Sequence, residues 1–460
     1  MSPDVTLTSA VRLRRVSAQD VERAAPSPVD REALQVAAGL IDAVRAGGLD
    51  ALRELAARFD GLAREAPLVH DRAALEAAAL TIPADVRALL ARTRDRIARF
   101  AAAQRRSIVE FETSHDGVRA GQRVVPVERA GCYAPGGRYP LPSSVLMTAV
   151  TARAAGVERV VVATPRPSAL MLAAAHVAGA DMVLAAGGAH AVAALALGVG
   201  VPKVDLVVGP GNRFVTAAKQ LLFGEVGIDL PAGPSELVLV AEPDADPELA
   251  AADLLAQAEH DPDARAILVV VAASASDPDA ARFVAAVEAA LGRQLASLAT
   301  AEVARAALAH GCAVIARGLD EALAVVDALA PEHLQLALAD PAAFERRVRH
   351  AGAVFLGEAA AEVLGDYGAG PNHVLPTGGA ARYSGGLSVH TFLRIRTWLA
   401  IDDPASARSI AMDAASLARL EGLAAHARAA SARHGTRFAS RSPAQAPLEP
   451  ASSGETSNRR

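Results

Sequence analysis

Four short polar segments interrupt an Ala- and Val-rich chain: Gln257-Ala-Glu-His260, Pro331-Glu332-His333, Gly365-Asp366-Tyr367 running on to Asn372-His373, and Glu421 followed by His426. Imidazole, carboxylate and carboxamide are the groups that bind zinc-like metals and move protons near neutral pH. Four of the twelve histidines fall in these segments, each beside a carboxylate or carboxamide. That clustering points to an enzyme site.

Each segment supports its own chemistry. Gln257 and His260 are three residues apart near a helix end that Pro262 must stop, so both can project from one face and share a metal. A histidine at a helix C-terminus is also favoured by the macrodipole alone. Glu332-His333 follows a proline that fixes the local geometry, and a histidine flanked by a carboxylate suits a general base. Gly365 to Gly379 reads as a fifteen-residue loop dense in Gly and Pro, and it carries Asp366 and His373. Long specified loops of this kind tend to be functional. Glu421 and His426, five apart on one straight helix, would sit about 140° apart around the axis.

Composition narrows the function class. A chain of 460 residues exceeds one ordinary core, so two or three domains are expected. With 52% hydrophobic and only 3% aromatic residues, its cores must be built from Ala, Val and Leu. A formal net charge of -5 argues against a general nucleic-acid surface. Two cysteines, Cys132 and Cys312, make no disulfide framework. Neither a signal-peptide pattern nor an apolar run of membrane-spanning length is found, so a cytoplasmic location is expected.

The elements that must carry these groups follow from pattern. Residues 30–110 read as helices, the first stopped by the pair Gly47-Gly48. Arg129 to Gly137 is too rich in breakers for regular structure. Short β-branched runs at 159–164, 181–186 and 204–208, each ending near a Gly-rich turn, alternate with helices and predict a doubly wound parallel sheet. Runs at 235–240, 266–271 and 313–316 predict a second. The chain is helical from about 404 to 433, and the Pro/Ser-rich tail reads as disordered. The Gly-rich turns could cradle a dinucleotide, but no GxGxxG follows any strand and GPGN at 209–212 is a weak signal, so a regular NAD fingerprint is absent.

Taken together, the segments GCYAPGGRYPLPSSVLM, VVGPGNRFVTAAK, AGPSELVLVA, DLLAQAEHDPDA, APEHLQL and LGDYGAGPNHVLPTGGAARYSGGLSVHTF resemble histidinol dehydrogenase over nearly the whole chain. The resemblance implies an α/β fold with two incomplete Rossmann-like (doubly wound) domains, helical N- and C-terminal arms, and a domain-swapped homodimer. The expected parts are an arm at 1–26, a first domain at 27–131 plus 239–387, an NAD-binding domain at 132–238, a swapped helical segment at 388–438, and the tail at 439–460. It implies one zinc per subunit on Gln257, His260, Asp366 and His426, the last supplied by the neighbouring chain. It further implies His333 as general base and Glu332 as activator of water. Ser235, His373 and Glu421, with the metal ligands and His333, would bind the substrate L-histidinol. NAD contacts fall on Tyr133, His190 and Asn212. The activity implied is NAD-dependent four-electron oxidation of L-histidinol to L-histidine, the last steps of histidine biosynthesis. His190 stands where the family has Gln, Thr148 and Thr151 replace Asn and Pro, and VHTFLRIRTW departs from the family pattern. A related dehydrogenase for another polyol or amino alcohol is the alternative.

Overall fold

The computed structural model describes residues 11–21, 30–136, 140–230, 233–402, 405 and 407–433. The expected tail at 439–460, and most of the arm at 1–26, lie outside them. The chain divides into two compact units, one of residues 1–108 and 125–394, the other of 109–124 and 395–460.

The larger unit is built on two six-stranded sheets. The first orders β1 (Arg14–Val16), β12 (Cys312–Arg317), β11 (Arg265–Ala272), β10 (Glu236–Ala241), β13 (His333–Ala337) and β14 (Ala353–Leu356), all parallel. The second orders β2 (Val69–Asp71), β7 (Met182–Leu184), β6 (Arg159–Ala163), β5 (Arg129–Tyr133), β8 (Leu206–Val208) and β9 (Gly227–Ile228). Only β2 runs antiparallel there. In both sheets the chain starts at a central strand, winds outward, then returns to the other side, so the five consecutive strands stand in the order 3-2-1-4-5. An extra strand from earlier in the chain, β1 or β2, closes the edge beside the third strand of each series.

Helices cover both faces. Around the second sheet they are α1 (Arg31–Leu55), α2 (Arg72–Thr81), α3 (Ala84–Ser107), α4 (Pro142–Ala155), α5 (Ala169–Ala178), α6 (Gly188–Leu197) and α7 (Arg213–Leu222). Around the first lie α8 (Pro247–Ala258), α9 (Pro278–Leu295), α10 (Ala301–Leu308), α11 (Gly318–Leu329) and α12 (Pro341–Glu345), and α13 (Glu362–Asp366) lies near α8. The inner strands are buried on both faces, which explains their unbroken Val, Leu and Ala runs. Along β10, Leu237 and Leu239 enter the core under α8 and α9, while Val238 and Val240 enter the one under α11. Helix caps are of the expected kind: Asp30 Oδ1 accepts from Ala33 N–H at 2.7 Å and starts α1.

Several expectations change. The pair Gly47-Gly48 does not stop the first helix; the chain kinks at Gly48 (φ 55°) and helix continues to Leu55. Arg129–Tyr133, read as irregular, is the central strand of the second sheet. Gly131 there lies where a Cβ would come within 2.9 Å of Leu195, so the glycine serves close helix-on-sheet packing rather than a turn. The helices α1–α3 pack on the second sheet, whereas the resemblance groups 27–131 with 239–387. Their apolar faces pack with α4–α7, while β1 and the residues around it, Leu13 and Val21, join the first sheet.

In the smaller unit, β3 (Phe111–His115) and β4 (Val118–Pro126) form a hairpin that pairs with β15 (Leu393–Ile401). Trp398 lies under the guanidinium groups of Arg119 and Arg123, 5.7 and 5.4 Å from its ring. The segment 388–438, expected to be helical, therefore has a 3-10 turn (Val389–Phe392) and a strand before α14 (Arg408–Leu420) and α15 (Ala424–Ala432). Both cysteines are free and buried. Among the described residues no helix is long and apolar enough to cross a membrane.

Candidate active site

The site begins where β13 begins. Helix α11 ends at Ala330 in a left-handed conformation (φ 48°, ψ 59°), which costs a non-glycine residue about 1–2 kcal/mol. That corner delivers Pro331, Glu332 and His333 to the amino end of the sheet, where His333 sits opposite Leu237 of β10. Both side chains are buried, Glu332 at 6% and His333 at 3% exposure. Glu332 Oε2 accepts from Glu236 N–H at 3.0 Å. Burial pushes its carboxyl up to about 7, despite the adjacent imidazole.

Around the His333 ring, Nδ1 lies 3.2 Å from Gln257 Oε1 and 3.3 Å from the Glu236 carbonyl. Two oxygens facing Nδ1 put a hydrogen there, which makes Nε2 the proton-accepting atom of the neutral ring. Nε2 is 3.7 Å from Asp366 Oδ1 and has no hydrogen-bond partner. Burial by itself would lower this imidazolium, but Glu332, Asp366 and Glu362 outweigh it and hold it up at about 10.

The remaining groups arrive from two helices. Gln257 is fully buried in the last turn of α8, and its Nε2 has no partner. His260 lies beyond the end of that helix rather than on its face, because the helix stops at Ala258 with Glu259 as its cap. Its side chain is 43% exposed, and Nε2 stands 3.6 Å from Asp366 Oδ2. Gly365 and Asp366 close α13 instead of opening a loop. Burial opposes ionisation of Asp366, but His260 and His333 override it and hold the carboxyl well below its usual range. The same carboxylate keeps His260 raised to about 9 against burial. His373 donates from Nδ1 to the Asp366 carbonyl at 2.9 Å and meets Ser144 Oγ at 3.3 Å with Nε2; burial lowers its imidazolium.

Glu362 was not singled out from the sequence. It is 1% exposed, both of its oxygens lack hydrogen bonds, and Oε2 is 3.7 Å from His333 Nδ1. Burial raises its carboxyl to about 8. Its spacing of four from Asp366 puts both on one helix face, and that was the legible signal. The field of this pocket thus favours positive charge. Among the described residues, no three His, Cys, Asp or Glu side chains converge as a metal site. His260 and Asp366 are two such groups, with Gln257 as a carboxamide and unpartnered polar atoms at Gln257 and His333.

The second set lies at the carboxyl ends of the other sheet. Tyr133 ends β5, and its Oη accepts from Gly188 N–H at 3.0 Å. His190 occupies the first turn of α6 and bonds through Nε2 to Asp60 Oδ2 at 2.9 Å. Asn212 caps α7, its Oδ1 accepting from Phe214 and Val215. The GPGN turn before it is braced by a buried ion pair between Lys219 and Asp229. Lys219 Nζ donates to the Gly209 carbonyl at 3.1 Å, and Asp229 accepts from Gly209 N–H at 2.7 Å. Gly209 (φ 117°) admits no side chain, since a Cβ would lie 2.0 Å from the Tyr133 carbonyl.

One cleft of about 1650 Å³ joins the two sets; Tyr133, His190 and Asn212 line it along with Ser235, His260, Glu332, Asp366 and His373. Glu421 and His426 belong to the smaller unit and are both exposed. They do not share a straight helix: Glu421 caps α14, Gly422 breaks the chain, and His426 lies in α15.

Comparison with known proteins agrees with this constellation. The family model for histidinol dehydrogenase matches residues 24–434. The chain is 46% identical over 419 residues to histidinol dehydrogenase of Caulobacter vibrioides, covering 90% of this chain and 94% of that one. It is 47% identical over 397 residues to the Thermus thermophilus enzyme, covering 86% and 93%. The crystal structure of histidinol dehydrogenase from Elizabethkingia anophelis superposes with a TM-score of 0.83 at 29% identity, covering 92% of this chain and 98% of that one. The strand orders, the buried Glu-His pair and these matches have one conclusion: the chain belongs to the histidinol dehydrogenase family of oxidoreductases.

Proposed function

We propose that the protein oxidises L-histidinol through the aldehyde to L-histidine, with reduction of two NAD per substrate. The observation that carries this reading is one cleft lined both by Glu332, His260, Asp366 and His373 and by Tyr133, His190 and Asn212, with His333 buried next to Glu332. The matching 3-2-1-4-5 strand orders support reading the two sheets as incomplete Rossmann-like halves.

A zinc ion fits the donor set. Gln257, His260 and Asp366 would hold it together with the partner's His426, and it would supply a Lewis-acidic anchor for the substrate's imidazole and amine. The approach of His260 Nε2 to Asp366 Oδ2 and the cation-favouring field support that assignment. NAD, bound along Tyr133, His190 and Asn212, would supply the hydride acceptor. With zinc charge offsetting the carboxylates that hold the His333 imidazolium up, the neutral ring takes the alcohol proton at Nε2 while Gln257 and the Glu236 carbonyl hold its Nδ1. In the second oxidation Glu332 takes a proton from the water that adds to the aldehyde carbon; burial tunes its carboxyl close to neutral pH. Ser235 and His373 orient the substrate in the cleft, and the partner's Glu421 meets its ammonium group.

Since Glu421 and His426 lie in the smaller unit, the reading includes a domain-swapped homodimer with shared sites. Mixing inactive His333→Ala and His426→Ala chains tests it directly. Heterodimers recover activity at one of their two sites if each site draws on both chains, and no recovery rejects the swap. Incubating the wild-type protein with zinc, NAD and histidinol is expected to yield two NADH per alcohol. Turnover of a different amino alcohol in preference would reassign the substrate.

A further inference from the structure

Asp60 takes no part in the chemistry above, yet it lines the same cleft. It ends the turn Ala56–Asp60 that follows α1, and only 9% of its side chain is exposed. One oxygen, Oδ2, accepts twice: from Gly187 N–H at 2.9 Å and from His190 Nε2 at 2.9 Å. The His190 side chain is 3% exposed and packs beside Phe59, with ring centroids 6.1 Å apart. A carboxylate can only accept, so it places hydrogen on His190 Nε2 and leaves Nδ1 as the ring atom available to a ligand. The next amide, Gly188 N–H, is already bonded to Tyr133. The start of α6 therefore offers an incoming ligand no free amide at Gly187 or Gly188, and it carries a buried carboxylate. An anion is disfavoured there, in contrast to helix starts whose free N–H groups cradle phosphate.

We propose that Asp60 is a positioning residue for the dinucleotide. It holds the His190 ring in one orientation and one tautomer, so that Nδ1 meets a neutral hydroxyl- or amide-bearing part of the cofactor and not its phosphates. The inference rests on reading this end of the cleft as the NAD site. It also accounts for a histidine at position 190, since the ring is usable there because a fixed acceptor stands behind it.

The test is an NADH fluorescence titration of the full-length protein, its Asp60→Asn and His190→Ala variants, and the double variant, with initial rates alongside. Asp60→Asn is expected to weaken NADH binding about tenfold, the size of one lost charge-assisted hydrogen bond. The KM for NAD should rise more than kcat falls, and the KM for the alcohol should stay within about twofold. In the His190→Ala background, Asp60→Asn should add nothing further, because the two residues act as one unit. Equal NADH affinity in Asp60→Asn, or independent penalties that multiply in the double variant, overturns the proposal. Should Asp60→Asn not fold, Asp60→Glu keeps the charge and displaces the carboxylate, and weaker NADH binding is again expected. If neither variant folds, Asp60 is a structural strut and the proposal fails. A wild-type protein that binds no NADH removes the cofactor reading itself, a result distinct from variants that bind as tightly as wild type.

Discussion

The two sheets of the larger unit share one strand order but place their polar groups at opposite edges. On the first sheet Glu236 and His333 begin β10 and β13, so the acid-rich pocket lies at the amino edge, where α8 and α11 end. On the second, Tyr133, His190 and Asn212 follow the carboxyl ends of β5, β7 and β8, where α6 and α7 begin. Helix C-termini carry partial negative charge and N-termini partial positive charge. The amino edge thus adds helix ends to Glu332, Glu362 and Asp366 and favours cations, as the raised His260 and His333 record. The carboxyl edge is the usual place for a nucleotide in an open α/β sheet, although here protein side chains already cap its helix starts. One topology used from both sides yields two electrostatically different half-sites facing one cleft.

That contrast can be broken one edge at a time. The largest effect is expected at the amino edge: His333→Ala should lower kcat by about 10²–10⁴-fold, the range for loss of a general base, while NADH fluorescence titration gives an unchanged dissociation constant. A parallel loss of NADH affinity would mean that the edges are not separable. Next is the carboxyl-edge brace. Lys219→Met leaves Asp229 buried without its partner and should cost about 3–5 kcal/mol in urea unfolding, with weaker NADH binding in whatever protein folds. Glu332→Gln should reduce the yield from two NADH per alcohol toward one and let aldehyde accumulate, which trapping with a hydrazine would detect; a yield that stays at two removes Glu332 from the second step.

Metal chelation sharpens the same division. Treatment with a chelator should abolish turnover and lower the melting temperature, and zinc should restore both, while NADH titration of the metal-free protein remains positive. The smallest effect concerns Asp253 on α8, away from either edge set. Burial, with Glu358 nearby, raises its carboxyl from 3.8 to about 6. Its folded pKa lies above the unfolded one, so its contribution is intact below about pH 4 and is lost as pH rises through 6. Because the group is partly exposed, Asp253→Asn should stabilise the protein at pH 7 by only about 0.5 kcal/mol, discounted for solvent screening, with no gain at pH 4. Equal gains at both pH values would assign the effect to something other than ionisation.

Much of this was legible in the chain. The strands at 159–164, 204–208, 235–240 and 266–271 were readable because burial on both faces demands unbroken apolar runs, and the structure moves their ends by one or two residues. Arg129–Tyr133 was not, since Gly131 signals a breaker unless the packing of Leu195 against it is known. Asp366 reads as a loop residue because Gly and Pro are dense around it, yet it closes a short helix that already includes Gly365. Glu362 looks like a solvated helix residue in AEVLGD; its spacing of four from Asp366 is a weak signal, and its burial to 1% beside His333 is what marks it. Asp60 gave no local signal at all, since its partners are 127 and 130 residues away.

The sequence by itself determined the residue types of the site, the α/β class and the family, because side-chain chemistry and hydrophobic period are local properties of the chain. Only the tertiary structure decided which edge of each sheet carries which half of the site, which ring nitrogen of His333 and His190 is committed to a protein acceptor, and which carboxylates are buried enough to stay near neutral. Those depend on desolvation and on distances between residues far apart in sequence, and neither quantity exists until the chain has folded.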